Sequence, residues 1–100
     1  MKTIEMGLNT EPSWIYEKEA MERLTKAGDT GAIESYQKLV QHAKDLRDKI
    51  VETVERDGCC ALNWSCTGAT RFEIHSFQWS AAMPQYRFEV GRYSCKVYKQ

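Results

Sequence analysis

Three of the chain's four cysteines lie within eight positions, at Cys59, Cys60 and Cys66. Thiolates can bind zinc, form a disulfide or attack a substrate, so this segment is the first place to look for chemistry. A structural zinc site needs ligand pairs at spacings such as Cys-x2-Cys, twice over. Cys59 and Cys60 are adjacent, and adjacent side chains on a strand point to opposite faces. The spacing therefore disfavours a metal site, and we expect neither a metal nor a cofactor.

The other chemical uses of these cysteines are also disfavoured by position. Cys95 would lie two strands from Cys66, or ~9.5 Å at the usual strand spacing, which is too far for a disulfide. A nucleophilic thiol needs a base, and Cys59 with His75 on one strand face is the pairing that could supply it. Glu73 shares that face with His75, but surface strands commonly carry such acid–base pairs. We predict small buried cysteines and a protein that is not an enzyme.

Composition and length bound the remaining classes. One hundred residues, 28% charged and 42% hydrophobic, are typical of one soluble domain, and we expect residues 1–100 to form it. Fourteen basic residues balance fourteen acidic ones, so no net field attracts nucleic acid or an anionic membrane. No apolar run approaches the ~20 residues of a membrane span, and the first residues do not resemble a secretory signal. We expect a cytoplasmic protein with no membrane contact.

The predicted elements place helices before strands, which indicates an α+β fold. A first helix is predicted from about Ser13 to Ala27, with Gly28 as its stop. A second, longer helix is predicted between Thr30 as N-cap and Gly58 as C′ residue. At about 27 residues it would be a rod of ~40 Å, which either covers long strands or extends beyond its own core to meet another chain. Its apolar stripe comprises Ile33, Tyr36, Leu39, Val40, Ala43, Leu46, Ile50 and Val54.

Three strands are predicted after the helices, over Cys59 to Cys66, Thr70 to Trp79 and Tyr86 to Tyr98. Residues 1–12 leave a further short strand open, because apolar residues alternate there. Because side chains alternate between the two faces of a strand, one apolar set of the first predicted strand should lie under the helices. This set is Cys60, Leu62, Trp64 and Cys66. We therefore expect two N-terminal helices, the second long, packed on a C-terminal three-stranded antiparallel meander.

The last two predicted strands change hydrophobic phase part-way along. In Tyr86 to Tyr98 the apolar residues are even-numbered up to Val90 and odd-numbered from Tyr93, and a similar switch occurs near His75. A bulge at Gly91 would rotate the hairpin tip back onto one core. Otherwise a cluster of aromatic rings faces away from the helices as an exposed patch, which typically marks an interaction site. The candidate partner-binding residues are Phe77, Trp79, Tyr86 and Phe88, with Arg87 as a polar contact.

These observations favour a small non-enzymatic protein-binding module. We expect it to bind a protein partner through the aromatic hairpin, the long helix or both, and to form a homo-oligomer. Compact, charge-balanced proteins without catalytic motifs are common among host-takeover and defence-blocking factors of phages and mobile elements, so an inhibitor of a protein complex is the expected type. The alternative is a single-stranded nucleic-acid-binding protein, which would stack bases on sheet aromatics. The basic residues available for that alternative are Arg71, Arg87, Arg92, Lys96 and Lys99.

Overall fold

Helices cover one face of a four-stranded sheet, and the computed structural model describes residues 1–5, 12–63, 78–91 and 94–100. In chain order the elements are strand β1 (Lys2–Glu5), a 3-10 turn (Ser13–Tyr16), helices α1 (Glu17–Ala27) and α2 (Thr30–Asp57), and strands β2 (Cys59–Asn63), β3 (Tyr86–Val90) and β4 (Ser94–Lys99). Residues 78–82 form a further helical turn. This order confirms the predicted α+β class, while the first predicted helix is divided into the 3-10 turn and α1.

Both helices end at the predicted glycines. Gly28 and Gly58 adopt left-handed φ angles of 72° and 81°, which a residue with a Cβ atom reaches only with strain. The N–H of Gly58 donates to the carbonyl of Val54 at 2.7 Å. The predicted N-cap of α2 is wrong by one residue, because the side chain of Asp29 accepts the N–H of Ala32 at 3.1 Å. An extended backbone at Asp29 lets its short carboxylate reach that amide.

The sheet is mixed, with the strand order β1-β2-β4-β3. β1 pairs in parallel with β2, Ile4 lying beside Leu62, whereas β4 pairs antiparallel with both β2 and β3. The prediction of a three-stranded antiparallel meander is therefore wrong in detail. The predicted strand Thr70 to Trp79 falls mostly outside the described residues, and its end at Trp79 lies in the helical turn of residues 78–82.

The predicted strand Tyr86 to Tyr98 is two strands, and this explains the hydrophobic phase switch. The chain reverses direction after Val90, and the Gly91 N–H donates to the carbonyl of Ser94 at 2.7 Å. In the resulting register Val90 lies opposite Cys95, so even-numbered residues of β3 share a face with odd-numbered residues of β4. The proposed bulge at Gly91 is therefore wrong. A turn between two antiparallel strands can change the core-facing residues from even-numbered to odd-numbered, as the extra residue of a bulge would.

The core lies between the sheet and the C-terminal half of α2. From α2 come Ile50 and Val54, both fully buried, and Trp79 of the helical turn fills the space beside them. Trp79 also meets the ring of Trp14 edge-on, with the ring centroids 4.9 Å apart. The other described side chains of this cluster are Ile4, Leu46, Cys60, Leu62, Met83, Tyr86, Cys95 and Val97, and Val40 and Ala43 of α2 are buried as well.

Candidate protein-binding surface

The structure places the predicted partner-binding aromatics toward the core. Trp79 is 0% exposed, Tyr86 is 2% exposed, and Phe88 is partly buried against the same cluster. Arg87 is exposed, and Phe77 lies outside the described residues. The expectation that Trp79 and Tyr86 face away from the helices is therefore wrong. The register of β3 with β4 directs even-numbered residues of β3 to the helical side of the sheet.

Tyr86 instead fixes the end of the sheet against α2. Its hydroxyl donates to Oε1 of Glu55 at 2.7 Å, and the Lys99 ammonium donates to Oε2 of the same carboxylate at 2.8 Å. These two donors hold the pKa of Glu55 below its usual range, Lys99 having the larger effect. Burial, reinforced by the neighbouring carboxylate, raises the pKa of Tyr86 to about 12. The arrangement is a structural clamp between β3, β4 and α2.

The described cysteines have the character of core residues. Cys60 and Cys95 are fully buried, which confirms the prediction for Cys60, whereas Cys59 on the opposite face is half-buried. Burial raises the pKa of the Cys60 thiol to about 11 and that of Cys95 to about 12, so the reactive thiolate form is suppressed in both. Cys66 and His75 lie outside the described residues. Within the described residues no three His, Cys, Asp or Glu side chains gather as metal ligands.

Of the basic residues named for the nucleic-acid alternative, the structure describes Arg87, Lys96 and Lys99. On the sheet face opposite the helices, the Arg87 guanidinium lies 4.9 Å from the centroid of the Tyr98 ring and 3.3 Å from the Glu89 carboxylate. Lys96 is exposed on the same face, and Lys99 is bound to Glu55 on α2. Arg71 and Arg92 lie outside the described residues. Tyr98 is thus the one aromatic of the described strands on this face, and a cation already covers it.

The N-terminal half of α2 extends beyond the sheet and leaves part of its apolar stripe exposed. Leu39 and Leu46 are seven residues apart and so share a helix face. Leu46 lies over the sheet and is 6% exposed, whereas Leu39 is 39% exposed. The helix has 28 residues and a length of ~42 Å, close to the longest dimension of the molecule, 44 Å. The sequence pattern places Leu39 on the apolar face of α2. It does not show where along the helix the sheet ends, and therefore does not show that Leu39 is exposed.

α1 packs along this extension and forms with it a protruding unit, the helical hairpin (α1 together with residues 30–44 of α2). Nζ of Lys44 lies 3.0 Å from Oε2 of Glu17, and the Tyr36 hydroxyl donates to the carbonyl of Ser13 at 3.0 Å. α1 contains no fully buried residue. Two more large side chains, Ile15 and Tyr16, are exposed in the 3-10 turn that leads into it. The helical hairpin and the 3-10 turn before it therefore carry three of the exposed large apolar side chains of the described residues, although Val40 and Ala43 are buried within the hairpin.

Comparisons of the chain with protein-family models, with curated proteins and with solved structures gave no match. Among the described helices, none combines the length and apolar composition that crossing a membrane requires.

Proposed function

We propose that the protein is a small non-enzymatic protein-binding module that associates with a second copy of itself through the helical hairpin. The observation that supports this proposal is the continuation of the α2 apolar stripe beyond the sheet, where Leu39 is exposed. An apolar side chain on a helix face that is otherwise buried gains about 25 cal/mol for each Å² that a partner covers. Ile15 and Tyr16 would add to the covered area.

The charges of α1 favour a second copy as the occupant. The first turn of α1 carries the exposed acid Glu19 beside the exposed base Lys18, and its last turn carries the exposed base Lys26. Two copies of α1 packed antiparallel around a two-fold axis would bring the acidic end of each helix against the basic end of the other. Each helix would thus supply the complement to its own charge pattern, which a self-complementary interface requires.

Inhibition of a larger protein complex, of the kind met in host-takeover or defence-blocking factors, is the form of binding that we propose for this module. The exposed apolar stripe of α2 at Leu39 supports a binding role of this kind. The two-fold symmetry of a dimer would present two identical target surfaces, which raises the apparent affinity for a multimeric complex.

Sedimentation equilibrium across a concentration series tests the self-association. We expect the wild type to pass from monomer to dimer below about 100 μM, the range of a weak but specific contact. Leu39→Asp should shift the dissociation constant upward by at least about tenfold, because it would bury an unpaired carboxylate. Gln37→Asp is the matched control, since it adds the same acid to an exposed position of the same helix. A monomeric wild type, or equal effects of both variants, would contradict the proposal.

The same protein preparation also tests the nucleic-acid alternative. If the protein is a protein-binding module, we expect no steeply salt-dependent binding of a fluorescent single-stranded oligonucleotide. Steep salt-dependent binding that Lys96→Ala reduces would favour the alternative instead.

A further inference from the structure

β1 forms one edge of the sheet, and no described strand pairs with its outer side. Its four residues pair with β2 alone, and within the described residues no backbone hydrogen bond reaches Lys2–Glu5 from another segment. A strand at a sheet edge presents a row of N–H and C=O groups to which a further strand can pair. β1 is short, yet neither proline nor a described helix covers this row.

A cleft of about 440 Å³ runs along this open edge. It is lined by all four residues of β1 and by Lys49, Glu52 and Thr53 of α2, and no residue of β2 lines it. Successive strand residues face opposite sides of a sheet, so a cleft that contacts all of them must follow the strand edge rather than one face. The edge strand and the helix beside it thus form the two walls of a groove.

The helical wall of the groove carries two exposed, opposite charges, Lys49 and Glu52. In the described part of the chain neither side chain makes a hydrogen bond or an ion pair. Thr53 is buried at the groove floor, where its hydroxyl donates to the carbonyl of Lys49 at 2.7 Å. An occupant of this groove would therefore meet one exposed cation and one exposed anion on the helix, spaced by about one helical turn.

The direction of the strands fixes the order of these charges along the groove. α2 ends at Asp57, and β2 then runs back along the helix, with Lys2 of β1 beside Cys60 near its start. Glu52 therefore lies toward the Lys2 end of β1, and Lys49 lies toward the other end. Inward-facing residues of an added strand recur every ~6.8 Å, so two consecutive ones can reach the two charges.

We infer that the groove between β1 and α2 binds an extended segment of a partner protein, which adds to β1 as a fifth strand and carries an acidic and a basic residue two positions apart. Main-chain hydrogen bonds to β1 supply affinity in this mode, and the alternate side chains supply specificity. The acidic residue lies against Lys49 and the basic one against Glu52. This inference rests on the proposed protein-binding function but uses a surface other than the helical hairpin.

Selection of peptides tests the inference on the full-length protein. A library of random heptapeptides displayed on phage is selected against the immobilised wild type, and one enriched peptide is synthesised with a fluorophore. We expect enriched sequences to alternate and to carry opposite charges two positions apart. The Lys49→Glu/Glu52→Lys double variant should bind the synthetic peptide roughly tenfold more weakly or worse, and a peptide with its two charges exchanged should recover affinity.

Two controls make the outcome decisive. The double variant Glu34→Lys/Lys38→Glu makes the same exchange at the far end of α2 and should bind like the wild type, and so should Leu39→Asp. On peptide binding, amide hydrogen exchange should slow in β1. Lack of enrichment, unchanged affinity in the Lys49/Glu52 variant or unprotected β1 amides would overturn the inference. If the wild type is monomeric and still binds the peptide, the self-association proposal is rejected and the proposal of a peptide-binding groove is retained.

Discussion

Replacement of Trp79 by alanine tests whether this residue belongs to the core or to a partner surface. The indole is fully buried and meets the Trp14 ring edge-on at 4.9 Å and 72°. Truncation of a buried tryptophan costs about 3–5 kcal/mol, of which the ring–ring contact accounts for about 0.5–1.5 kcal/mol. Domains of this size have an unfolding free energy of about 5–15 kcal/mol. We therefore expect Trp79→Ala to lose a large part of the stability of the isolated monomer.

Urea denaturation followed by far-ultraviolet circular dichroism measures the loss, because the signal comes from the helices and not from the tryptophans being changed. Leu39→Ala is the control for a large apolar residue outside the core. Since Leu39 is 39% exposed, its truncation should cost about 1–2 kcal/mol, well below the loss expected for Trp79→Ala. Trp79→Phe retains most of the apolar volume and should lose about 1–3 kcal/mol, which keeps the test measurable if Trp79→Ala does not fold.

The result that would refute the reasoning is a Trp79→Ala variant within about 1 kcal/mol of the wild type, a loss typical of surface positions. If this variant also lost partner binding, Trp79 would belong to the outward aromatic patch that the strand pattern predicted. A destabilised monomer whose loss exceeds that of Leu39→Ala agrees with the core assignment.

Three further predictions concern chemistry and backbone. Cys60 and Cys95 should react with iodoacetamide at pH 8 only after unfolding in urea, as read by peptide mass spectrometry; fast native labelling would contradict their burial. The pKa of Glu55 is lowered on folding, so this carboxylate stabilises the protein above its ordinary pKa of 4.5, and that stabilisation is lost as the pH falls below 4.5. The urea midpoint should therefore fall less steeply on acidification in Glu55→Gln than in the wild type. Gly58→Ala should destabilise the protein by about 1–2 kcal/mol because of its left-handed φ, whereas Gly31→Ala, inside α2, should leave the melting temperature equal or higher.

The helices were largely predictable because their signals are local. The apolar stripe of α2 recurs at helical spacing from Ile33 to Val54, and a glycine ends each helix. The N-cap was misassigned by one residue, since Asp29 and Thr30 both carry a capping oxygen and sequence alone does not rank their backbone conformations.

The sheet was less predictable because its pairings join distant residues. β1 lies beside β2 although 58 positions separate Ile4 from Leu62, and no local pattern records that parallel contact. The hairpin of β3 and β4 was hidden for another reason. The even-to-odd switch after Val90 fits a bulge in one strand as well as a turn between two, and only the register with Cys95 distinguishes them.

The lengths of the described strands also bear on where the candidate surface lies. Strands of eight to thirteen residues, as the sequence suggested, would extend ~26–43 Å and could cover α2 from end to end. The described strands have four to six residues and extend ~13–20 Å, against ~42 Å for the helix. The described part of the sheet is therefore about half as long as α2. The apolar stripe of this one helix places Leu46 in the core and leaves Leu39 39% exposed, which is why we propose association at Leu39.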